Sequence, residues 1–263
     1  MSDRTPRWDP DQYLRFGDER ARPFADLVAR IDIAAPAVVV DLGCGPGTLT
    51  VGLCERWPTA SVIGVDSSPD MVAAARPLAN ERVQFFEADL RTWRPGDAAD
   101  VVVANATLQW VEGHDRLLGD LLDMLRPDGV LAFQVPGNFD APSHRCIEET
   151  VLSDPWRDVV DASVLERPRS HAAAHYLEVL ADLGCLVDAW ETTYLHVLHG
   201  ARPVLEWVRG TALRPVLAAL DPSRHEEFCD ALAARLAVVY PQRNGRTVLP
   251  FRRIFVVARR PAR

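Results

Sequence analysis

Apolar, β-branched runs recur through the first half of the chain, at 37–41, 61–66, 83–87, 100–105 and 129–135. Helical patterns lie between them at 48–56, 69–79 and 114–125, and an earlier one covers 21–31. Strands alternating with amphipathic helices predict a parallel sheet wound with helices. The helix at 114–125 is expected to end in Arg126-Pro127-Asp128-Gly129, a stop followed by a turn. The second half is less regular. Residues 141–168, studded with Pro, His and Trp, read as helix or loop outside the sheet. A short helix at 176–183, closed by Gly184, precedes a strand at 186–195. Two amphipathic helices are predicted over 203–240, separated near Asp221-Pro222, and the turn signal Asn244-Gly245 leads to a last strand at 251–259. With no internal repeat and no linker, the chain reads as one domain, 1–263, with helices inserted as a cap.

Composition narrows the function classes. At 263 residues, 48% hydrophobic and 25% charged, the chain has an ordinary globular profile. It holds no apolar run of bilayer length, and the polar stretch 1–10 has no apolar signal core, so a cytoplasmic enzyme is expected. The five scattered cysteines form no C-x-x-C pair and suit a reducing compartment. A net charge of −8 disfavours a nucleic-acid partner. Every basic side chain other than His is Arg; without a lysine, Walker-loop, kinase and pyridoxal-phosphate chemistry are excluded.

The first strand runs into Asp41-Leu42-Gly43-Cys44-Gly45-Pro46-Gly47. Closely spaced glycines after a strand let a ligand approach bare backbone, although a simple tight turn has the same look. The spacing is G-x-G-x-G, and Thr48 stands where a dinucleotide fingerprint would place its third glycine. Asp41 would repel a pyrophosphate and suit an amine. Asp66 ends the second strand, where a carboxylate can accept ribose hydroxyls or, alternatively, cap the helix that begins with Ser67. After the third strand, Asp89 and Leu90 could read an adenine edge. After the fourth, Asn105-Ala106-Thr107-Leu108-Gln109-Trp110 brings polar and aromatic groups to the same edge.

This combination resembles the class I S-adenosylmethionine-dependent methyltransferases. The resemblance implies a Rossmann-like α/β sheet, mostly parallel with an antiparallel last strand, and a cofactor site of Asp41, Gly43, Gly45, Gly47, Asp66, Ser67, Asp89, Leu90, Asn105 and Trp110. Outside that half, Tyr13-Leu14-Arg15-Phe16, Glu19–Pro23, 190–196, Leu213-Arg214-Pro215 and 255–260 look like segments of trans-aconitate 2-methyltransferases. The implied organisation is a lid at 1–30, a cofactor core at 31–136, and cap insertions at 137–184 and 200–243. The implied reaction is S-adenosylmethionine-dependent O-methylation of a carboxylate. An ionised carboxylate needs no general base, so no catalytic acid–base residue is expected. Arginine forks suit the remaining carboxylates. Candidates are Arg20, Arg22, Arg214 and Arg253, supported by Tyr13, Gln134, Asn138, His144, Tyr194 and His196. His171 and His175 have a spacing that can bind zinc on a helix, but no Glu or Cys cluster accompanies them, and no metal is expected. Trp190, Trp207 and Phe251 read as cap core. Partners are expected to be limited to the small carboxylate, with no membrane and no obligate protein. Rival readings are a methyltransferase for acyl-carrier-protein-bound malonyl, an NAD-dependent oxidoreductase and a non-catalytic S-adenosylmethionine sensor.

Overall fold

A computed structural model describes residues 17–166 and 170–262, with side chains from residue 21 onward. The elements run α1 (Gly17–Ala29), β1 (Val38–Leu42), α2 (Thr48–Arg56), β2 (Ser61–Asp66), α3 (Pro69–Ala75), β3 (Val83–Glu87), β4 (Ala99–Asn105), α4 (His114–Leu122) and β5 (Leu125–Pro136). They continue through α5 (Pro142–Val151), α6 (Ala173–Asp182), β6 (Leu186–His199), α7 (Pro203–Arg209), α8 (Arg214–Ala219), α9 (His225–Val239) and β7 (Arg246–Arg259).

The chain divides into two compact units. Among the described residues, the larger comprises 17–137, 170–192 and 253–262. Its sheet has the order β3-β2-β1-β4-β5-β7-β6, with β1 to β5 parallel and β7 antiparallel to β5. The order reverses between β1 and β4, the switch point where open α/β sheets bind ligands at their carboxyl ends. β4 is buried along nearly its whole length because helices cover both faces, which is why its sequence is apolar without alternation. Leu118, Leu121, Tyr176 and Leu180 pack with Val102, Phe133 and Val256 in one core. The smaller unit comprises 138–166 and 193–252 among the described residues, with α5, α7, α8 and α9 and the outer ends of β6 and β7. Its own core stacks Trp156 edge-on against Phe228 at 5.0 Å.

Several expected boundaries shift. α4 ends at Leu122, and β5 begins at Leu125, where it pairs with Ala99 through a bulge. Arg126-Pro127-Asp128-Gly129 is thus carried inside a strand, because Pro127 is tolerated at an irregular register. Residues 203–240 form three α-helices rather than two, with a break before Arg214 as well as at Asp221. β6 and β7 are longer than the apolar runs that announced them. Residues 170–192 cluster with the sheet, although 170–184 were expected in the cap. Trp190 belongs to that sheet unit too: it stacks on Phe255 at 4.9 Å under the Arg30 guanidinium, so it is not cap core.

Candidate functional site

The Asp41–Gly47 loop leaves β1 at the carboxyl edge of the sheet. Gly43, Gly45 and Gly47 all have positive φ, a conformation that costs any other L-residue except Asn or Asp roughly 1–2 kcal/mol. Space separates their roles. A Cβ on Gly43 would lie 2.1 Å from Thr107 Oγ1, whereas one on Gly45 would meet nothing within 4 Å. Gly43 therefore locks the loop onto the segment after β4, and Gly45 presents bare backbone to open space. The Phe85 ring packs against both Gly47 and Gly64, joining the loop to β2 and β3.

Two carboxylates underlie this loop. Asp41 is only 3% exposed and accepts a 2.6 Å hydrogen bond from Thr50 Oγ1 in α2. Burial, only partly offset by Thr50 and reinforced by the Asp66 charge, pushes its pKa up to about 7. Asp66 accepts from Gly45 N–H through Oδ2 and from Ser68 N–H through Oδ1, both at 2.9 Å. Its pKa also rises through burial, against the pull of those backbone donors. Cap and ligand roles are compatible here, since a carboxylate has about four acceptor positions and the backbone uses two. The helix cap proper is Ser68, whose Oγ accepts from Met71 N–H, while Ser67 is exposed. The half-buried Asp66 carboxylate beside the buried Asp41 suits this edge to a cation rather than a pyrophosphate.

Linkage from Asp41 has a definite sign. Folded Asp41 holds its proton up to about pH 7, whereas an unfolded aspartate releases it near pH 3.9. The folded state therefore binds more protons between those values, and this contribution to stability is lost as pH rises through that window. Asp41→Asn can still accept from Thr50 without the charge. It should gain on the parent, by a few kcal/mol in order of magnitude, between pH 4 and pH 8 in urea unfolding. A difference that stays constant over that range would contradict the assignment.

After β4 the chain turns sharply. Ala106 has φ 53 without being glycine, a strain found mostly where a site demands it. Gln109 Nε2 donates to Ala106 O, and Thr107 Oγ1 donates to Asn105 O at 3.1 Å. Asn105 Oδ1 and Gln109 Oε1 are buried acceptors with no hydrogen-bond partner. Trp110 is 40% exposed. Asp89, expected at the adenine edge, is gripped by Arg91 Nε at 2.9 and 3.0 Å, which holds its pKa below the usual range. Leu90 is half-buried and packs against the core.

Gln134 pairs in register with Asn105 on one side and Phe255 on the other. It is fully buried, and its Oε1 accepts from Arg253 Nη1 at 3.0 Å. That contact fixes the amide orientation, because a flipped amide would face a guanidinium with its own donors. Gln134 Nε2 is left as a buried donor with no partner among the described residues. An unmatched buried donor costs about 1–3 kcal/mol, so it points to a ligand acceptor. Arg253 itself is only 5% exposed.

Tyr13 lies outside the described residues, as does the Arg20 side chain, and Arg22 is exposed on α1. In the smaller unit, His196 is buried and stacks on Trp207 at 4.7 Å and Tyr194 at 6.2 Å, with Phe251 tilted against it. Trp207 and Phe251 pack together there as cap core. His144 lies against Phe139, Asn138 is half-buried, and Arg214 opens α8, half-exposed. Thr50 and Phe85 were missed: no motif marks them, because their partners, Asp41 and the glycines at 47 and 64, lie on other elements.

Comparison with known proteins follows the same division. A methyltransferase-domain family model matches residues 39–129, from β1 to the start of β5. Over nearly the whole chain, the protein is 50% identical to trans-aconitate 2-methyltransferase of Streptomyces avermitilis, covering 98% of both chains. It is 49% identical to the enzyme of that name from Streptomyces coelicolor (97% of this chain, 88% of that one) and 46% identical to that of Azoarcus sp. (96% and 99%). The fold is shared with YcgJ of Bacillus subtilis, at TM-score 0.59 and 13% identity over 92% of this chain and 99% of that one. It is shared as well with a Haemonchus contortus phosphoethanolamine N-methyltransferase solved with S-adenosyl-L-methionine, at TM-score 0.56 and 15% identity over 91% and 52%.

Proposed function

The chain belongs to the trans-aconitate 2-methyltransferase family, and from that premise we propose that it methylates one carboxylate of trans-aconitate with S-adenosylmethionine, releasing the monomethyl ester and S-adenosylhomocysteine. The observation that carries the reading is the contrast along one sheet edge. A buried Asp41 and a half-buried Asp66 lie under an open glycine loop at β1 and β2, and a buried Arg253–Gln134 donor pair lies on β7 and β5. One end suits a cation, the other an anion.

S-adenosylmethionine supplies an electrophilic methyl group on a cationic sulfur. The residues present fit it: Gly45 leaves room at the backbone, and Asn105 Oδ1 and Gln109 Oε1 are buried acceptors suited to an ammonium group. Asp66 accepts ribose hydroxyls with the acceptor positions that Gly45 and Ser68 do not use. Gly43, Gly47 and Ser67 shape the loop and helix start, Asp41 ties the loop to α2 through Thr50, and Asp89, Leu90 and Trp110 would hold the adenosyl group. On the anion side, Arg253 Nη and Gln134 Nε2 together offer a donor pair to a carboxylate, leaving another carboxylate oxygen as nucleophile. Holding reacting atoms at roughly 3–3.5 Å and excluding water are then the main catalytic tasks. Five buried, free cysteines support a reducing, cytoplasmic setting, and no helix among the described residues is long and apolar enough to cross a membrane.

Because the nucleophile is already ionised, kcat should reach a plateau above the substrate's own carboxyl pKa values, with no further ionisation near neutrality. His144→Ala and His196→Ala should move KM more than kcat. A steep fall of kcat below pH 7, or loss of several powers of ten in kcat in either variant with affinity intact, would mean that a proton is removed and would favour an alcohol or amine acceptor.

A further inference from the structure

Asp115 is some 60 residues from His171 and His175 in sequence, and the three meet on the surface of the larger unit, away from the glycine loop in the chain and unused by the proposed reaction. Asp115 stands in the first turn of α4, and His175 in the first turn of α6. His171 precedes α6 rather than lying on it, so the expected helical spacing is met by one residue before the helix and one on it. Their imidazoles stack at 4.1 Å. Asp115 Oδ2 is 3.3 Å from His175 Nε2 and 3.8 Å from His171 Nε2, and all three ligand atoms lie within 4.8 Å of one another.

We propose that these three side chains form a zinc(II) site that clamps the start of α4 to the start of α6. A tetrahedral zinc with bonds of about 2.0–2.1 Å places its ligand atoms about 3.3–3.4 Å apart. The two carboxylate–imidazole distances already match or approach that value. Two imidazoles and one carboxylate suit zinc, whereas calcium and magnesium demand more oxygen ligands. The ligand side chains are 23 to 41% exposed, which leaves the fourth position to water.

The surroundings preset the geometry. Tyr176 is fully buried, and its hydroxyl accepts the His171 backbone N–H at 3.1 Å while donating to His114 Nε2 at 2.7 Å. His114 Nδ1 donates to Val111 O at 3.1 Å, so both its ring nitrogens are engaged and it stands outside the ligand set. The arrangement fixes His171 relative to α6 before any ion arrives.

The test uses the untagged full chain, stripped with chelator and titrated with zinc chloride by calorimetry, with cobalt(II) as an absorbance probe. The expected result is one zinc per chain, with a tetrahedral cobalt spectrum. His171→Ala and His175→Ala should each weaken binding at least 10- to 100-fold, the loss that follows even when a group merely supporting a ligand is removed. His199→Ala, on the smaller unit, should leave binding unchanged. Zinc at a hundred times its dissociation constant should raise Tm by about 5–10 °C in the parent, and by far less in Asp115→Asn. Metal-free melting of each variant checks that it folds. Absence of stoichiometric binding, or binding that survives the double His171→Ala/His175→Ala change in a folded chain, overturns the site.

Discussion

Arg253→Ala is expected to raise the KM for trans-aconitate by two powers of ten or more, with cofactor affinity nearly unchanged. The argument starts from burial. Arg253 is 5% exposed on a central strand, and its Nη1 is oriented by a neutral amide, Gln134 Oε1. The same amide offers a second, unmatched donor through Nε2. A carboxylate meeting both gains hydrogen bonds that contribute about 1.5–3 kcal/mol each when charge-assisted, and 1.4 kcal/mol is a factor of ten. Arg253→Lys should recover only part, since an ammonium cannot reproduce the planar fork. Gln134→Leu removes the orienting acceptor and one donor, so its KM should rise by about tenfold. Melting curves separate a folding defect from a binding defect. If folded Arg253→Ala keeps its KM within about threefold of the parent, the anion anchor lies elsewhere, and Arg214→Ala in the same assay is the next variant to read.

The cofactor edge is expected to fail most sharply at Asp66. Asp66→Ala strands the Gly45 and Ser68 amides and removes the acceptor proposed for ribose. Two lost hydrogen bonds to a carboxylate amount to about 3–6 kcal/mol. The dissociation constant for S-adenosylmethionine should therefore rise by at least two powers of ten in calorimetry. Asp66→Asn, which keeps one acceptor, should fall between. If Asp66→Ala lowers Tm while the cofactor still binds as tightly as to the parent, the carboxylate is only a brace for the loop.

The sheet was legible because buried strands such as β4 are uniformly apolar and β-branched, and because G-x-G-x-G leaves a local mark in the chain. The cofactor side of the site is nearly all local to that mark: each carboxylate ends a strand whose apolar run announces it. The anion side was legible only as candidates. Gln134 and Arg253 are 119 residues apart, and nothing in either segment says that β7 inserts beside β5. Their pairing is a consequence of topology. Asp115 with His171 and His175 is the same case, since two helix starts become neighbours only after the chain returns from its excursion at 138–167. Strand ends were misread where pairing, not hydrophobicity, extends them, as at Leu125 and along β7 from Arg246 to Leu249.

The central claim, methyl transfer to a carboxylate of trans-aconitate, is tested most directly by supplying S-adenosylmethionine labelled in its methyl group. The acceptor panel is trans-aconitate, its cis isomer, citrate, a monocarboxylate and malonyl-loaded acyl carrier protein. The account predicts that label passes to trans-aconitate with the highest kcat/KM, in a base-labile monomethyl ester, and that the monocarboxylate is a poor acceptor that loses little further in Arg253→Ala. Label passing preferentially to the malonyl carrier, or to none of the carboxylates while the cofactor binds normally, would contradict it.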